Sequence, residues 1–268
     1  FFMALFWSAW SFGQSFTADG INYQVTSATA PLTVSVASHG SFTGIATIPA
    51  TVIYDNNTYS VTAIGDFAFQ DTSLASITIP NSVISIGNYA FRRCRSLTSV
   101  SIGNSVTSIG VGAFFNCSGL ASVTIPNSVT SIQESAFSNC TNLTSVTIGN
   151  SVTSIGILAF SDCTSLATVN CFVPNPIVID FDVFQFTDLR ACTLNVPTGS
   201  ETAYKAARVW EFFNPIIGNL NNTPTDISLS ASAINENVAA NSTVGTFGST
   251  DADAANTFTY TLVAGTGS

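Results

Sequence analysis

The chain has 268 residues, 46% of them hydrophobic and only 8% charged, which is ample apolar material for one large core or two modest ones. Its 15 Asp and Glu outweigh 6 Lys and Arg, and the net charge of −9 repels a phosphate backbone, so no nucleic-acid partner is expected. Phe1 to Trp10 forms an apolar run followed by Ser11-Phe12-Gly13-Gln14. The run is shorter than the roughly 18 residues of a membrane-spanning helix and reads as a secretory leader (residues 1–14), cleaved after Gln14. A charged region ahead of it is missing and residue 1 is Phe, so the natural chain is expected to extend upstream. No second hydrophobic segment follows, and no transmembrane segment is expected in the mature fragment.

Residues 15–61 contain strand-like runs such as Ile21-Asn-Tyr-Gln-Val25 and Leu32-Thr-Val-Ser-Val36, which read as an N-terminal β cap. A fixed period then begins. The steps Ile64-Gly65, Ile86-Gly87, Ile109-Gly110, Ile132-Gln133 and Ile155-Gly156 are spaced by 22 residues and then by 23 three times. Phe69, Phe91, Phe114, Phe137, Phe160 and more loosely Phe184 follow them, trailed by Leu74, Leu97, Leu120, Leu143, Leu166 and Leu189. The unit is I-G-x-x-A-F-x-x-C-x-x-L-x-x-V-x-I-P/G-N-S-V-T-S, repeated over residues 62–197.

One unit makes one coil. Leu120-Ala-Ser-Val-Thr-Ile125 alternates like a half-buried strand, and Pro126-Asn-Ser128 turns the chain. Val129-Thr-Ser-Ile132 is a second short extended piece, and Ser135 to Phe137 fits a single turn of helix. A lone coil cannot bury both faces of its strand. Stacking at about 4.7–4.9 Å buries roughly six apolar side chains per coil, each contributing roughly 1.5–3 kcal/mol before entropy. The fold class is therefore mainly β: a solenoid of short parallel strands and single helical turns, needing a cap at each end. Residues 198–218 close it, with Glu201 to Trp210 as a short helix and Ser200 as its N-cap. Asn219 to Thr225 reads as a linker.

The repeat resembles the BspA-like leucine-rich repeats of bacterial surface proteins, over about residues 15–218. Phe16-Thr-Ala-Asp-Gly-Ile-Asn-Tyr23 resembles that family's entry strand. Val196-Pro-Thr-Gly-Ser-Glu-Thr-Ala-Tyr204 through Trp210-Glu-Phe212 resembles its closing helix. The resemblance implies an extracellular interaction scaffold. Residues 226–268, with Asp226-Ile-Ser-Leu-Ser230, Thr250-Asp-Ala-Asp253 and Phe258-Thr-Tyr-Thr-Leu262, are similar to the start of a cadherin-like β-sandwich. They are far fewer than the about 100 residues of such a module, so the domain is expected to continue beyond Ser268. That resemblance implies calcium held by Glu236, Asp251 and Asp253. Asn221 and Leu220 depart from the family, which usually has Asp and Asn there. No cofactor is expected for the solenoid.

Cys94, Cys117, Cys140 and Cys163 recur one coil apart and read as a ladder of small buried hydrophobes, since one ligand per rung suits no metal site. Cys171 and Cys192 fall on strand core positions. Disulfides stay open, because neighbouring rungs lie within bridging range. His39 is the sole histidine, without an evident partner, and Asp66, Asp71, Glu134, Asp162, Asp180, Asp182 and Asp188 are scattered. No nucleophile, P-loop or metalloprotease motif occurs, and no enzymatic activity is expected. Arg92, Arg93 and Arg95, half of the chain's basic residues, read as a solvated turn, with an anion contact as the alternative.

The outward strand positions form two files. Ser76, Ser99, Ser122, Ser145 and Thr168 make one; Thr78, Ser101, Thr124, Thr147 and Asn170 make the other. Together they build a flat, hydroxyl-rich, nearly uncharged face. The expected function is a secreted or cell-surface protein that binds an extracellular protein or glycan through that face. The alternatives are a structural spacer that projects other domains, and an ice-binding face.

Overall fold

The computed structural model describes residues 13–221 and two further strands, Asp226–Leu229 and Phe247–Thr250, which pair antiparallel. The expected leader lies outside the described residues as far as residue 12. Gln14, its expected last residue, accepts the Val25 N–H and donates to the Tyr54 hydroxyl.

Six strands precede the period: β1 (Ser15–Ala18), β2 (Ile21–Ser27), β3 (Thr33–Val36), β4 (Thr43–Thr47), β5 (Thr51–Tyr54) and β6 (Asn57–Ile64). Long and short strands then alternate: β7 (Ser73–Thr78), β8 (Ser85–Ile86), β9 (Ser99–Ser101), β10 (Ser108–Ile109), β11 (Ser122–Ile125), β12 (Ser131–Ile132), β13 (Ser145–Ile148), β14 (Ser154–Ile155) and β15 (Thr168–Cys171). β16 (Thr193–Pro197), helix α1 (Glu201–Ala206) and β17 (Ile216–Leu220) close the solenoid. The short strands extend one sheet from the N-terminal cap in the order β1-β2-β3-β6-β8-β10-β12-β14, with β5 paired to β6. The long strands form β4-β7-β9 and β11-β13-β15-β16-β17. Within the repeats every pairing is parallel and in register, as stacked identical coils require.

The interior is built from files running across the coils. Phe69, Phe91, Phe114, Phe137, Phe160 and Phe184 stack face to face, with centroids 4.9–5.5 Å apart and planes within 2–13°. The repeat Leu residues are buried beside them. At the C-terminal end Trp210 and Phe213 meet Phe184 edge-on, and Trp210 Nε1 donates to the Ile177 carbonyl at 2.7 Å. His39 closes the other end. Its ring lies on Phe69 (5.1 Å, 14°), and its Nε2 accepts the Asn22 N–H at 2.8 Å. The partner that the sequence leaves unassigned is thus the end of the aromatic file, and burial holds the imidazole pKa below its ordinary value.

The turns after each Ile-Gly step differ from expectation. A helical turn would tie every amide within its own coil. Instead alternate amides face two ways: Ala68, Gln70 and Thr72 donate three residues back, whereas Phe67, Phe69 and Asp71 donate to Asn88, Ala90 and Arg92 of the next coil. Left-handed backbone at Phe67 and Asp71, Tyr89 and Arg93, Gly112 and Asn116, Ser135 and Asn139, and Leu158 and Asp162 produces the alternation. The repeats therefore carry consecutive tight turns and gain another inter-coil ladder. The closing helix is shorter than expected: Ala207 is extended, Val209 has φ 75°, and Ser200 makes no side-chain cap bond. Asn219 and Leu220, read as linker, belong to β17.

The cysteines do more than fill space. The thiols of Cys94, Cys117, Cys140 and Cys163 donate to the carbonyls of Phe69, Phe91, Phe114 and Phe137 in the preceding coil, at 2.9–3.3 Å. Thr187 continues the file with a 3.1 Å bond to the Phe160 carbonyl. Thr72 holds the same place in the first coil and turns onto its own Phe69 carbonyl. All six cysteines are free and buried, and burial pushes the Cys140 thiol up to about 12. Cys192 lies just before β16 rather than within it.

Three outcomes follow from this core. Phe114→Ala interrupts the stack at its centre and is expected to cost about 3–5 kcal/mol in urea unfolding. Native protein should resist an aromatic disulfide reagent at pH 8, with six thiols reacting once it is denatured. The His39 pKa is lowered on folding, so its stabilisation is present above the unfolded value of about 6.5 and is lost as pH falls through the folded value. The urea midpoint should therefore drop between about pH 7 and 5, with a smaller drop in His39→Phe.

Candidate functional site

The ten expected face residues come together as two blocks. Ser76 pairs with Ser99 and Thr78 with Ser101 across β7 and β9. Ser122, Ser145 and Thr168 align across β11, β13 and β15, as do Thr124, Thr147 and Asn170. All ten are exposed or half-buried, as outward strand positions dictate. The files run further than expected, to Thr47 of β4 and to Thr193 and Asn195 of β16. The alternation Thr193-Leu-Asn195 is the signal for the extension, masked by the broken period before it.

Among the described residues most of these hydroxyls bond nothing else. Thr98, Thr107, Thr130, Thr144 and Thr153, at the flanks of the strands, donate to carbonyls of the preceding coil at 3.0–3.2 Å. On the face, among the described residues, side-chain bonds lie at the C-terminal end: Asn195 donates to Asn170 (2.8 Å), and Asn170 donates to Thr147 (3.3 Å).

Between the two blocks the ladder is interrupted, because β9 and β11 are not paired. Val100 and Ile102 are half-buried there, whereas Ile77, Ile79, Val123, Ile125, Val146 and Ile148 are buried. The turn residues differ from coil to coil there. Pro80, Gly103, Pro126 and Gly149 alternate along the axis. Gly149 closes onto Pro126 so tightly that a Cβ would lie 2.6 Å from the Pro126 carbonyl, and Gly103 closes likewise onto Pro80. The step from Gly103 to Pro126 is the reverse. Phe172, at the matching place two coils on, donates its N–H to the Ile148 carbonyl at 2.9 Å. Pro126 has no N–H to offer Ile102. A groove of about 600 Å³ opens at this seam and runs across three coils past Ser101, Thr124 and Thr147. Among the described residues no titratable side chain lines it.

The arginine-bearing turn is not simply solvated. The half-buried Arg92 guanidinium sits 5.8 Å from the Tyr89 ring and 5.9 Å from Phe115. Tyr89 stacks on the exposed Phe67 at 5.4 Å, and a Cβ on Gly112 would fall 2.6 Å from the Tyr89 ring. Sequence reasoning missed this cluster, whose signal is two aromatic residues at a left-handed position that Gly and Ser occupy in later coils. Arg93 pairs with Asp71 at 3.7 Å, and both are well exposed, so the pair adds little stability.

Glu236, Asp251 and Asp253 lie outside the described residues. Among the described residues no group of three or more His, Cys, Asp or Glu side chains is gathered around a metal position, and no helix is long and apolar enough to cross a membrane.

Comparison with known proteins matches the repeat geometry. The model of the BspA type leucine rich repeat region fits residues 62–190 in six copies. A leucine-rich repeat protein from Bacteroides ovatus is 31% identical with a TM-score of 0.57; the match covers 67% of this chain and 46% of that one. The leucine-rich repeat protein of T. pallidum is 27% identical with a TM-score of 0.57, covering 68% of this chain and 81% of that one. The pneumococcal vaccine antigen PcpA, at 21% identity and a TM-score of 0.55, shares the fold over 70% of this chain and 51% of its own. The chain thus spans about half the length of the first and third of these proteins. Among curated proteins none matches. Residues 62–190 are thus similar to the BspA type leucine rich repeat region.

Proposed function

We propose that the chain is an exported or outer-surface binding module, which holds an extracellular protein or glycan on its long-strand face and performs no catalysis. The observation that supports this most is the contrast among hydroxyls. Flank Thr residues bond the coils together, while Ser76, Ser99, Ser101, Ser122 and Thr124 remain available to a partner. Repeat surfaces of this type are built to meet extended partners. The apolar leader and the family of the repeats agree with export. A cadherin-like extension, with calcium at Glu236, Asp251 and Asp253, would add length between this face and its attachment.

A pure spacer would use neither the free hydroxyls nor the seam. An ice-binding face needs an unbroken regular array, and the unpaired β9 and β11 interrupt it.

The test uses wells coated with yeast mannan, as a neutral glycan, and with gelatin, as an extended polypeptide. The chain should be retained on at least one coating. The triple variant Ser99→Arg, Ser122→Arg and Ser145→Arg should weaken retention by about tenfold or more, that is by at least about 1.4 kcal/mol. Three arginines placed elsewhere, at the exposed Ile84, Gln133 and Ile157, should leave retention unchanged. Equal loss in both variants, or no retention of the wild type, favours the spacer.

A further inference from the structure

We infer that the seam groove is a subsite for an extended, neutral, β-1,4-linked glycan, which it engages with about one sugar ring per coil. The inference rests on the binding-face reading and narrows it to one ligand class. Charge comes first. The groove lies in a chain of net charge −9, yet among the described residues none of its lining side chains is ionisable, so a charged ligand would be desolvated there without a counterion. A neutral ligand rich in hydroxyls meets no such penalty.

The donors are periodic. Asn104, Asn127 and Asn150 line the groove at successive coils. Asn127 Oδ1 accepts the Asn150 N–H at 3.0 Å, which orients the Asn127 amide across the coils, and Asn150 Oδ1 accepts the Ser151 hydroxyl at 3.3 Å. The Nδ2 groups of Asn104, Asn127 and Asn150 find no protein acceptor among the described residues. Ser101 and Thr124 add hydroxyls that are likewise free. Asn104, Asn127 and Asn150 thus bring one amide donor per coil, and the Asn127 amide is held in place before any ligand arrives, which favours affinity.

Apolar contact completes the match. Val100 and Ile102 are half-buried in the groove because the ladder is open, and Phe172 lines it one coil further on. The faces of a β-1,4-linked hexose ring are carbon–hydrogen surfaces, whereas its hydroxyls project from the ring edge. The coils repeat at 4.9–5.5 Å along the Phe file, and an extended β-1,4-linked chain advances by a similar step per ring. A polypeptide strand fits less well. To pair with both β9 and β11 it needs a place of its own, about 4.7–4.9 Å from each. Phe91 and Phe114, from the same two coils, are only 4.9 Å apart and leave no such gap.

The experiment titrates the chain with cellohexaose by calorimetry, alongside a hexamer of galacturonate and a neutral Ser-Gly hexapeptide. Cellohexaose should bind saturably, and the other two should not. Thr124→Arg, which puts a long cation into the groove, should weaken cellohexaose by about tenfold or more, whereas Gln133→Arg, exposed and away from the long-strand face, should stay within about twofold. Circular dichroism and thermal melting of both variants establish that they remain folded. The proposal is overturned by absent cellohexaose binding, by equal binding of the galacturonate or peptide probe, or by equal weakening in both variants. Retention on mannan or gelatin wells with no cellohexaose binding would remove this subsite and leave the binding-face reading standing.

Discussion

Each coil has to meet the next at one strand spacing on every side at once. Three ladders enforce this: the long strands, the two-residue strands of the Ser-Ile steps, and the turn amides that alternate between their own coil and the next. The Phe file sits inside and tolerates only a narrow range of distances, because stacked rings 4.9–5.5 Å apart are already in contact. The rest of the molecule is arranged around that constraint. Glycine stands where a neighbouring backbone comes too close for a Cβ, as Gly110 does against Gly87 and Gly156 against Glu134. Each end of the file is covered by another ring: His39 at one end, Trp210 and Phe213 at the other.

Binding capacity depends on how this labour is divided. Inter-coil bonds are made by main chain, by Cys thiols pointing inward, and by Thr hydroxyls at the flanks. The outward residues of the long strands are left with few obligations, and the sheet stays soluble because they are hydroxyl-bearing rather than apolar. Burial keeps the thiols protonated, which is what makes them donors to the Phe carbonyls. The same burial removes them from redox chemistry, so the file is structural despite its metal-like periodicity.

Much of this was legible in the chain itself. The period set the coil, the buried Phe and Leu files and the two outward files, because a repeated residue in a stacked fold must meet its own copies. What escaped notice depends on geometry that a consensus averages away. Ser135 to Phe137 reads as helical from spacing alone, yet the left-handed φ at Ser135 and Asn139 turns alternate amides toward the next coil. Cys94 reads as a small hydrophobe until the Phe69 carbonyl is found within reach of its thiol. His39 lies outside the period, so only the fold reveals that it ends the aromatic file. The seam was visible in the letters as Pro126 after Gly103, but as a substitution tolerated in the consensus rather than a missing donor.

The departures from periodicity share a physical logic. A quasi-one-dimensional stack distributes its stability over nearest-neighbour interfaces, so a defect between two coils weakens one interface and leaves the others intact. The unpaired β9 and β11 are such a defect, and the Phe91–Phe114 contact, at 4.9 Å the shortest of the file, lies between the same two coils. The turn side thus holds the coils together where the strand side opens. Tyr89, Phe67 and Arg92 are a second local exception, with aromatic residues at left-handed positions that disfavour them. Uniform repeats build a surface with no preferred location along its axis. Recognition of a particular ligand at a particular place requires that symmetry to be broken, and in this solenoid the broken steps are where free polar groups and apolar surface lie side by side.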